Sequence, residues 1–254
     1  MHGGTVLMRH VRKSQIVVAV MAATILTWGS AIATSEAILF SEDFRDSALN
    51  LIWLPFPGFS QNHLTPIMDP STPEGDVWAG RQTNAQLGGF ASLSYTGARH
   101  LKDYTIEAWV YTIVVPDQVR APLNGIAVRV DPDGGRLYRL ASHFDKERRL
   151  TFAYVGRDTQ NYPVYLRSWE ADDIPGGVPA ESGWHKMAVR CIGNRFLAFW
   201  DDKELPGGPI EDDRIPEGFF GVYVNYVGGK GIVETRVDGI KVTHAEGKLV
   251  KATP

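Results

Sequence analysis

The sequence predicts an all-β protein in which two antiparallel sheets pack face to face. After residue 38, no segment keeps an apolar period of 3.6 residues for three helical turns, whereas apolar–polar alternation recurs along the chain. Clusters of Gly, Pro, Asn and Asp interrupt this alternation at intervals of roughly ten residues, which is typical of short strands joined by turns. Because each strand has one apolar side to bury, the pattern favours a sandwich of two sheets.

The clearest single strand is "YTIEAWVYTIVV", residues 104–115. Its even-numbered residues from Ile106 to Val110 are apolar and share one side, which is expected to face the core. The odd-numbered Glu107, Trp109 and Tyr111 share the other side. This side mixes a carboxylate with two aromatic rings, so it is of interest for function.

The other strands are predicted mainly as hairpins, each made of two alternating runs joined by turn residues. These hairpins are residues 124–144 around a turn at 132–135, residues 149–156 with 164–171, residues 183–205 around Gly193-Asn194, and residues 217–243 around 228–231. Residues 55–90 alternate weakly and are rich in Pro, Gly, Asn and Gln. They are expected to form a long loop segment with short strands, and such loops often carry binding residues.

Bulk composition narrows the class of protein. A chain of 254 residues with no linker or internal repeat fits one large β domain, and its core needs no metal or disulfide to stabilise it. The net charge of −3 gives no basic footprint for nucleic acid, which is therefore not expected as a partner. The single cysteine, Cys191, excludes an internal disulfide and lies in an apolar phase, as expected for a small buried residue.

The N-terminal segment is predicted to be a signal peptide covering residues 1–37. Arg9, Arg12 and Lys13 precede the uncharged apolar run "QIVVAVMAATILTW", which is short for a membrane span. Small residues follow, so that cleavage is expected after Ala33 or Ala37. Residues 38–254 would then form a single secreted or periplasmic domain with no membrane partner. The alternative is an uncleaved anchor helix.

Several motifs carry a resemblance to a known superfamily. They are "FSEDF" (40–44) followed by Trp53, then "YTIEAWVY", "NGIAVRV", "GWHKMAVRCIGNRFLAFWDDKEL", "IPEGFFGVYV" and "VETRVDGIKV". In this order they resemble the concanavalin A-like lectin/glucanase superfamily, especially its laminin G-like and 3-keto-disaccharide hydrolase-like domains in exported bacterial proteins. The likeness covers about residues 38–243 and implies a jelly-roll sandwich of two antiparallel sheets. It is specific for architecture rather than activity, because this fold hosts lectins, hydrolases and adhesion modules.

The chain departs from the superfamily's enzymes in two motifs. Glycoside hydrolases of this fold usually place acids on one strand as Glu-x-Asp-x-x-Glu, and this spacing does not occur here. The 3-keto-disaccharide hydrolase-like proteins commonly carry Asn-Ser-Gly-Ile before a central arginine, whereas this chain has Asn124-Gly125-Ile126 and then Arg129. Both departures weigh against catalysis by the family's residues.

Aromatic residues on the polar phase of the strands predict a sugar-binding groove across the concave sheet. Sugar rings stack their C–H faces on aromatic rings, and their hydroxyls bind polar side chains at the edges. The predicted carbohydrate-binding residues are Glu107, Trp109, Tyr111, Arg129, Tyr138, Tyr165, Arg167, Tyr223 and Asn225. The alternative is that these rings pack under loops or stabilise cross-strand pairs, and that Glu107 forms an ion pair with a cross-strand arginine such as Arg129.

We therefore expect an exported carbohydrate-binding or surface-interaction module whose partner is a glycan bound on the concave sheet. The alternative is a glycoside-active enzyme of the 3-keto-disaccharide hydrolase type. It would be a hydrolase or lyase acting on (3-keto-)glycosides, with Glu107 as the catalytic candidate and Arg129 lining the site.

The metal expectations differ between zinc and calcium. The seven histidines include no closely spaced pair, so zinc is not expected. The superfamily resemblance implies a structural calcium between the N-terminal acidic segment and the last strand, which maps to Asp43 and Asp238. The alternative is that both aspartates cap turns.

Overall fold

Two antiparallel sheets make up the structure, a computed structural model that describes residues 37–45, 48–59, 63–75, 77–84, 91–118, 122–226 and 233–245. The predicted signal peptide falls almost wholly outside these residues. Residues 36–254 form one compact unit. In the described part of the chain the strands are β1 (Ile38–Glu42), β2 (Leu54–Pro55), β3 (Thr65–Met68), β4 (Trp78–Asn84), β5 (Ser92–Thr96), β6 (Tyr104–Thr112), β7 (Pro122–Asp131), β8 (Arg136–His143), β9 (Arg149–Gly156), β10 (Val164–Trp169), β11 (Gly183–Ile192), β12 (Arg195–Trp200), β13 (Lys203–Glu204), β14 (Ile210–Glu211), β15 (Phe219–Tyr226) and β16 (Val233–His244).

The nine-stranded sheet has the order β13-β12-β11-β6-β16-β4-β3, with β1 beside β16 and β14 beside β12. The seven-stranded sheet has the order β10-β9-β8-β7-β15-β5-β2. Hairpins such as β7–β8–β9 alternate with pairings between strands distant in sequence, such as β6 with β16. The predicted all-β jelly-roll sandwich is confirmed. No helix among the described residues has the length and apolar character that would be needed to cross a membrane.

The main core lies between the sheets and uses the phase that the sequence predicts. Along β6 every second residue from Tyr104 to Thr112 is buried, and the residues between are partly exposed. Tyr138 and Phe152 of the seven-stranded sheet contact Phe196 of the nine-stranded sheet, with ring centroids 4.7 and 5.1 Å apart. Cys191 is buried in this core, and burial raises the pKa of its thiol to about 12, so the thiol stays protonated and packs as an apolar group.

The seven-stranded sheet differs from the predicted pattern because both of its sides are covered. Nearly every residue of β7, β8 and β9 is buried, on the outer side as well as the inner. A second apolar cluster lies on the outer side and includes Phe56, Leu93 and Tyr223. Phe56 belongs to the predicted loop segment, and its backbone N–H donates to the Leu93 carbonyl at 2.9 Å. Part of the loop segment therefore packs on the outer side of this sheet.

Candidate functional site

The predicted site residues do not form one groove, because they are divided between two sheets and the core. Glu107 lies on the outer side of the nine-stranded sheet, where its carboxylate is 3.6 Å from Lys186 Nζ and 3.9 Å from Lys241 Nζ. Both lysines lie on neighbouring strands, and Lys241 is directly opposite Glu107. The ion pair between Glu107 and Arg129, which the sequence analysis considered as an alternative, is not formed, so that prediction is wrong. Glu107 instead bridges two partly exposed cations, as a carboxylate on a solvated sheet often does.

Trp109 and Tyr111 are also on the outer side of the nine-stranded sheet. A surface loop, residues 69–75, packs against them and their neighbours there. Trp109 donates from Nε1 to Glu74 Oε1 at 3.2 Å. The Tyr111 ring meets Trp184 edge to face at 5.6 Å, and the guanidinium of Arg236 lies 3.7 Å from the ring centroid. Aromatic and cation–π contacts of this kind stabilise the packing of the loop 69–75 against the sheet.

The same loop is fastened by two further contacts. Trp184 donates from Nε1 to Ser71 Oγ at 3.0 Å, and Arg236 forms an ion pair with Asp69 at 2.6 Å. Burial alone would raise the pKa of Asp69, but hydrogen bonds from Ser71 and Arg236 lower it below its usual value. The aromatic residues of β6 therefore adopt the alternative role considered from the sequence, which is packing against a loop.

Arg129 is in the interior and does not reach a surface groove. Arg129 is 0% exposed. Its guanidinium donates to the carbonyls of Lys102 (2.9 Å), Gly193 (2.5 Å) and Ile215 (3.1 Å). A register shift between Val128 and Asp131 and a φ of 47° turn Arg129 inward, where its guanidinium lies over Phe196. This β-bulge breaks the period of two, which is why the sequence phase misplaced the side chain.

Tyr138 and Arg167 are also displaced from the predicted site. Tyr138 is buried in the main core, and its hydroxyl donates to Asp212 Oδ1. Burial raises the pKa of this hydroxyl well above its usual value, so it stays protonated. Arg167 donates from Nη1 to the Gly207 carbonyl at 3.0 Å, because a register shift after Tyr165 turns it away from that ring.

The three remaining predicted residues, Tyr165, Tyr223 and Asn225, do converge. They lie on the outer side of the seven-stranded sheet with four residues that the sequence analysis did not select. We call this group the outer cluster; its members are Arg139, His143, Arg149, Thr151, Tyr165, Tyr223 and Asn225. The strands β8, β9, β10 and β15 supply them, and the alternate residues of β8 and β9 point into the main core.

Arg139 is at the centre of the outer cluster and is 1% exposed. Its guanidinium carbon lies 5.1 Å from the Tyr223 ring centroid, and Nη1 donates to Thr151 Oγ1 over a long 3.4 Å. The Nε atom is buried and has no hydrogen-bond partner. A buried polar group in this state loses the free energy of its missing hydrogen bond, so it points to a ligand or to water.

His143 is neutral within the outer cluster. It is buried, and Nε2 lies 3.0 Å from Thr151 Oγ1. Burial, with the charges of Arg139 and Arg149, lowers the pKa of His143 to about 2. Its Nδ1 lies 3.9 Å from a carboxylate oxygen of Glu147, but a neutral imidazole forms no ion pair, and Glu147 instead pairs with Arg149 at 2.5 Å.

The outer cluster has an amide at one end and a partly open tyrosine at the other. Asn225 donates from Nδ2 to the Tyr223 hydroxyl at 3.2 Å, and its buried Oδ1 has no partner. Tyr165 is 44% exposed, and the guanidinium of Arg149 lies 5.2 Å from its ring centroid. The cluster thus offers aromatic rings, one free acceptor and a free donor on one side of a sheet, which is the mixture that sugars require.

The residues Arg139, His143 and Thr151 were missed for an identifiable reason. In "RLYRLASH" the polar residues Arg139 and His143 occupy the phase opposite to Tyr138 and Leu140. A polar phase on a half-buried strand normally faces water. Only the tertiary structure reveals that this side of the sheet is covered.

The low pKa of His143 predicts an acid-sensitive stability. Below pH 6.5 the unfolded chain binds a proton on this imidazole, whereas the folded protein does not until the pH is about 2. The free energy of unfolding therefore falls as the pH falls below 6.5, by about 1.4 kcal/mol per pH unit for this group. When the pH is lowered from 7 to 5, the free energy of unfolding measured in urea should fall by about 2 kcal/mol less for His143→Gln than for the unmodified protein.

A matched control for this measurement is His244→Gln, because His244 is exposed at the end of β16. This variant should keep the pH dependence of the unmodified protein. Equal pH dependence of the His143→Gln variant and the unmodified protein would contradict the burial of a neutral His143.

The contacts of Asp43 and Asp238 are those of turn caps. Asp43 accepts from Asn50 Nδ2 at 3.0 Å and lies 3.3 Å from Arg45 Nε, while Asp238 Oδ1 accepts from the backbone N–H of Gly239 at 2.7 Å. Such donors around Asp43 do not fit the oxygen shell that calcium takes. Within the described residues, no group of three His, Cys, Asp or Glu side chains is arranged to hold a metal. Calcium binding by Asp43 and Asp238 stays a prediction.

A cleft of about 310 Å³ lies elsewhere, near the β7–β8 turn. Its charged side chains already have partners: His100 pairs with Glu217 at 2.6 Å, and Arg136 pairs with Asp131 at 2.9 Å. The outer cluster therefore carries more unused hydrogen-bonding capacity than this cleft.

Comparisons with known proteins support the architecture. No protein-family model matches the sequence, and no curated protein is similar to it. Among solved structures, a glycoside hydrolase family 16 endo-glucanase from Bacteroides ovatus is similar with a TM-score of 0.54 and 15% identity, over 81% of this chain and 100% of that one. A GlcNAcα1-4Gal-releasing endo-β-galactosidase from Clostridium perfringens gives 0.53 and 12%, over 82% of this chain and 63% of that one.

An endo-acting O-glycanase of the human gut microbiota gives a TM-score of 0.51 and 13% identity, over 83% of this chain and 100% of that one. At such low identities the three similarities show a shared fold. They confirm the architecture expected from the sequence motifs.

Proposed function

We propose that this chain, which has the concanavalin A-like jelly-roll fold, is a carbohydrate-binding module that holds a glycan at the outer cluster. The observation that carries the proposal is Arg139, a buried arginine with an unpartnered Nε beside the ring of Tyr223. The enzymes of similar fold are named for their action on glycans, which adds support to a carbohydrate ligand.

The chemistry of the outer cluster suits sugar hydroxyls. A hydroxyl both donates and accepts, so one glycan unit can accept from Arg139 Nε and donate to Asn225 Oδ1. Each buried group left unsatisfied costs roughly 1–3 kcal/mol, so satisfying both contributes directly to affinity. The exposed face of Tyr165 then provides a platform for the C–H face of a sugar at the open end.

Non-catalytic binding is favoured over the glycosidase alternative. Glycoside cleavage ordinarily needs two carboxylates beside the scissile bond. The predicted catalytic Glu107 is on the other sheet and bridges two lysines, and Arg129 is inside the core. In the outer cluster the carboxylate of Glu147 contacts Arg149 as an ion pair. We therefore expect no product when the protein is incubated with glycosides or 3-keto-glycosides and read by chromatography.

Binding is tested with a glycan panel and the variant Tyr165→Ala. Loss of an aromatic platform costs about 0.5–1.5 kcal/mol, so we expect binding that is roughly two- to tenfold weaker by calorimetry. The matched control is Tyr162→Ala, since Tyr162 is 71% exposed, lies three residues away and is outside the cluster. Trp109→Ala tests the opposite sheet and should also bind normally. Equal weakening by a control variant, or no binding to any glycan, would contradict the proposal.

We also propose that the protein acts outside the cytoplasm. This rests on the signal peptide predicted for residues 1–37, and it is tested by sequencing the N-terminus of the exported protein, which should begin at Thr34 or Ile38.

A further inference from the structure

We infer that the glycan is acidic and that Arg139 binds its negatively charged substituent, a carboxylate or a sulfate. This inference rests on the proposed function and names the class of ligand for the same site. The argument comes from the balance of charge on the outer side of the seven-stranded sheet.

Within the described part of the chain, Arg139 carries a buried charge without a counterion. The residue is 1% exposed, and the hydrogen bond of its guanidinium in the described structure goes to the neutral hydroxyl of Thr151. The ring of Tyr223 gives it a cation–π contact, and burial raises the pKa of Tyr223, so this hydroxyl stays neutral. Charges removed from water are normally paired with an opposite charge.

The neighbouring groups do not cancel the charge of Arg139. Arg149 and Glu147 form an ion pair, so their charges offset each other. His143 is neutral because its pKa is lowered to about 2. The strands β7 and β15 contribute uncharged outer residues here, such as Ala127 and Asn225. Counted over the residues that the structure describes, the outer cluster therefore carries one uncompensated positive charge, although the whole chain has a net charge of −3.

Comparison with Arg129 separates a structural arginine from a recognition arginine. Both are buried without a carboxylate partner, but Arg129 donates to three backbone carbonyls that fix the guanidinium in the core. The Nε atoms of both arginines are buried without a hydrogen-bond partner, so the difference lies in the terminal nitrogens, which in Arg139 make one long hydrogen bond. A guanidinium has five N–H donors in a planar fork that matches the two oxygens of a carboxylate or sulfate. The unused donors of Arg139 suit that geometry.

The test compares ligands that differ only in charge. Calorimetry with oligogalacturonate and with its methyl ester, which lacks the charge, should show at least tenfold tighter binding of the acid. Dextran sulfate and neutral dextran form a second pair that distinguishes a sulfate from a carboxylate. Preference for the charged member of either pair supports the inference and identifies the substituent.

The variant Arg139→Gln should remove the preference for the charged ligand while it leaves weak binding of the neutral one. The control Arg99→Gln removes an exposed arginine that pairs with Asp133 and should keep the preference. If Arg139→Gln fails to fold by circular dichroism, the ligand pairs measured with the unmodified protein still decide the question.

Three results are unfavourable, and they are distinguishable. Equal affinity for charged and neutral members of both pairs overturns the acidic ligand and leaves the carbohydrate-binding proposal standing. A preference that persists in a folded Arg139→Gln variant overturns the role of Arg139. Absence of binding to these ligands and to the whole glycan panel overturns the proposed function itself.

Discussion

Replacing Arg129 with methionine is expected to lower the free energy of unfolding by roughly 3 kcal/mol, because one buried and two partly buried carbonyl oxygens lose their donor. These carbonyls belong to Lys102, Gly193 and Ile215 and so join three separate loops around one guanidinium. Methionine retains most of the side-chain volume over Phe196 but cannot donate. For a domain of this size, the melting temperature should fall by about 10 °C in calorimetry or thermal circular dichroism.

The control for this variant is Arg99→Met, in which an exposed arginine loses its ion pair with Asp133. Its melting temperature should match that of the unmodified protein, because exposed pairs contribute little. A small effect of Arg129→Met, equal to that of the control, would contradict the role of Arg129 as an internal link. Glycan binding by folded Arg129→Met should be normal, since Arg129 lies outside the outer cluster.

Replacing Glu42 with alanine is expected to destabilise the protein by about 3 kcal/mol or more. The carboxylate of Glu42 is buried and accepts four hydrogen bonds, from the backbone N–H groups of Phe44 (3.3 Å), Asn50 (3.1 Å) and Leu51 (3.0 Å) and from Trp53 Nε1 (3.2 Å). Removing it leaves these donors without an acceptor. Urea unfolding measures the change through a lower midpoint.

Asp43→Ala is the matched control, because Asp43 is the next residue but its side chain is 39% exposed and pairs with Arg45. We expect a much smaller change in the midpoint. Comparable losses in the two variants would show that the acidic segment acts as a whole, against the central role of Glu42. This experiment also tests which acid of "FSEDF" is important. The resemblance implied a role for Asp43, whereas the structure indicates a role for Glu42.

The alternation of apolar residues predicted much of the fold correctly. In the β11–β12 hairpin Cys191 is buried as predicted, with Met187 and Val189 buried on the same side, and the chain turns at Gly193 as expected. The predicted and observed buried sides agree because successive side chains of a strand point to opposite sides and one side must be buried. Turn residues likewise marked most strand ends.

The candidate site was predicted only in part. Tyr165, Tyr223 and Asn225 came together, whereas Glu107, Trp109 and Tyr111 proved to be on the other sheet. Alternation fixes the two sides of a strand but not the sheet to which the strand belongs, because sheet order depends on pairings between residues far apart in sequence. Strands β6 and β15 therefore looked equivalent in the sequence.

The sequence by itself determined that the chain is all-β and which residues along each regular strand share a side, because a strand's period of two is a property of the local backbone. The tertiary structure alone decided which sides are covered, how β-bulges turn Arg129 and Arg167, and that Arg139 is buried beside Tyr223. These features arise from contacts between segments that are distant in the sequence. The free energy of such contacts cannot be predicted from any local sequence pattern.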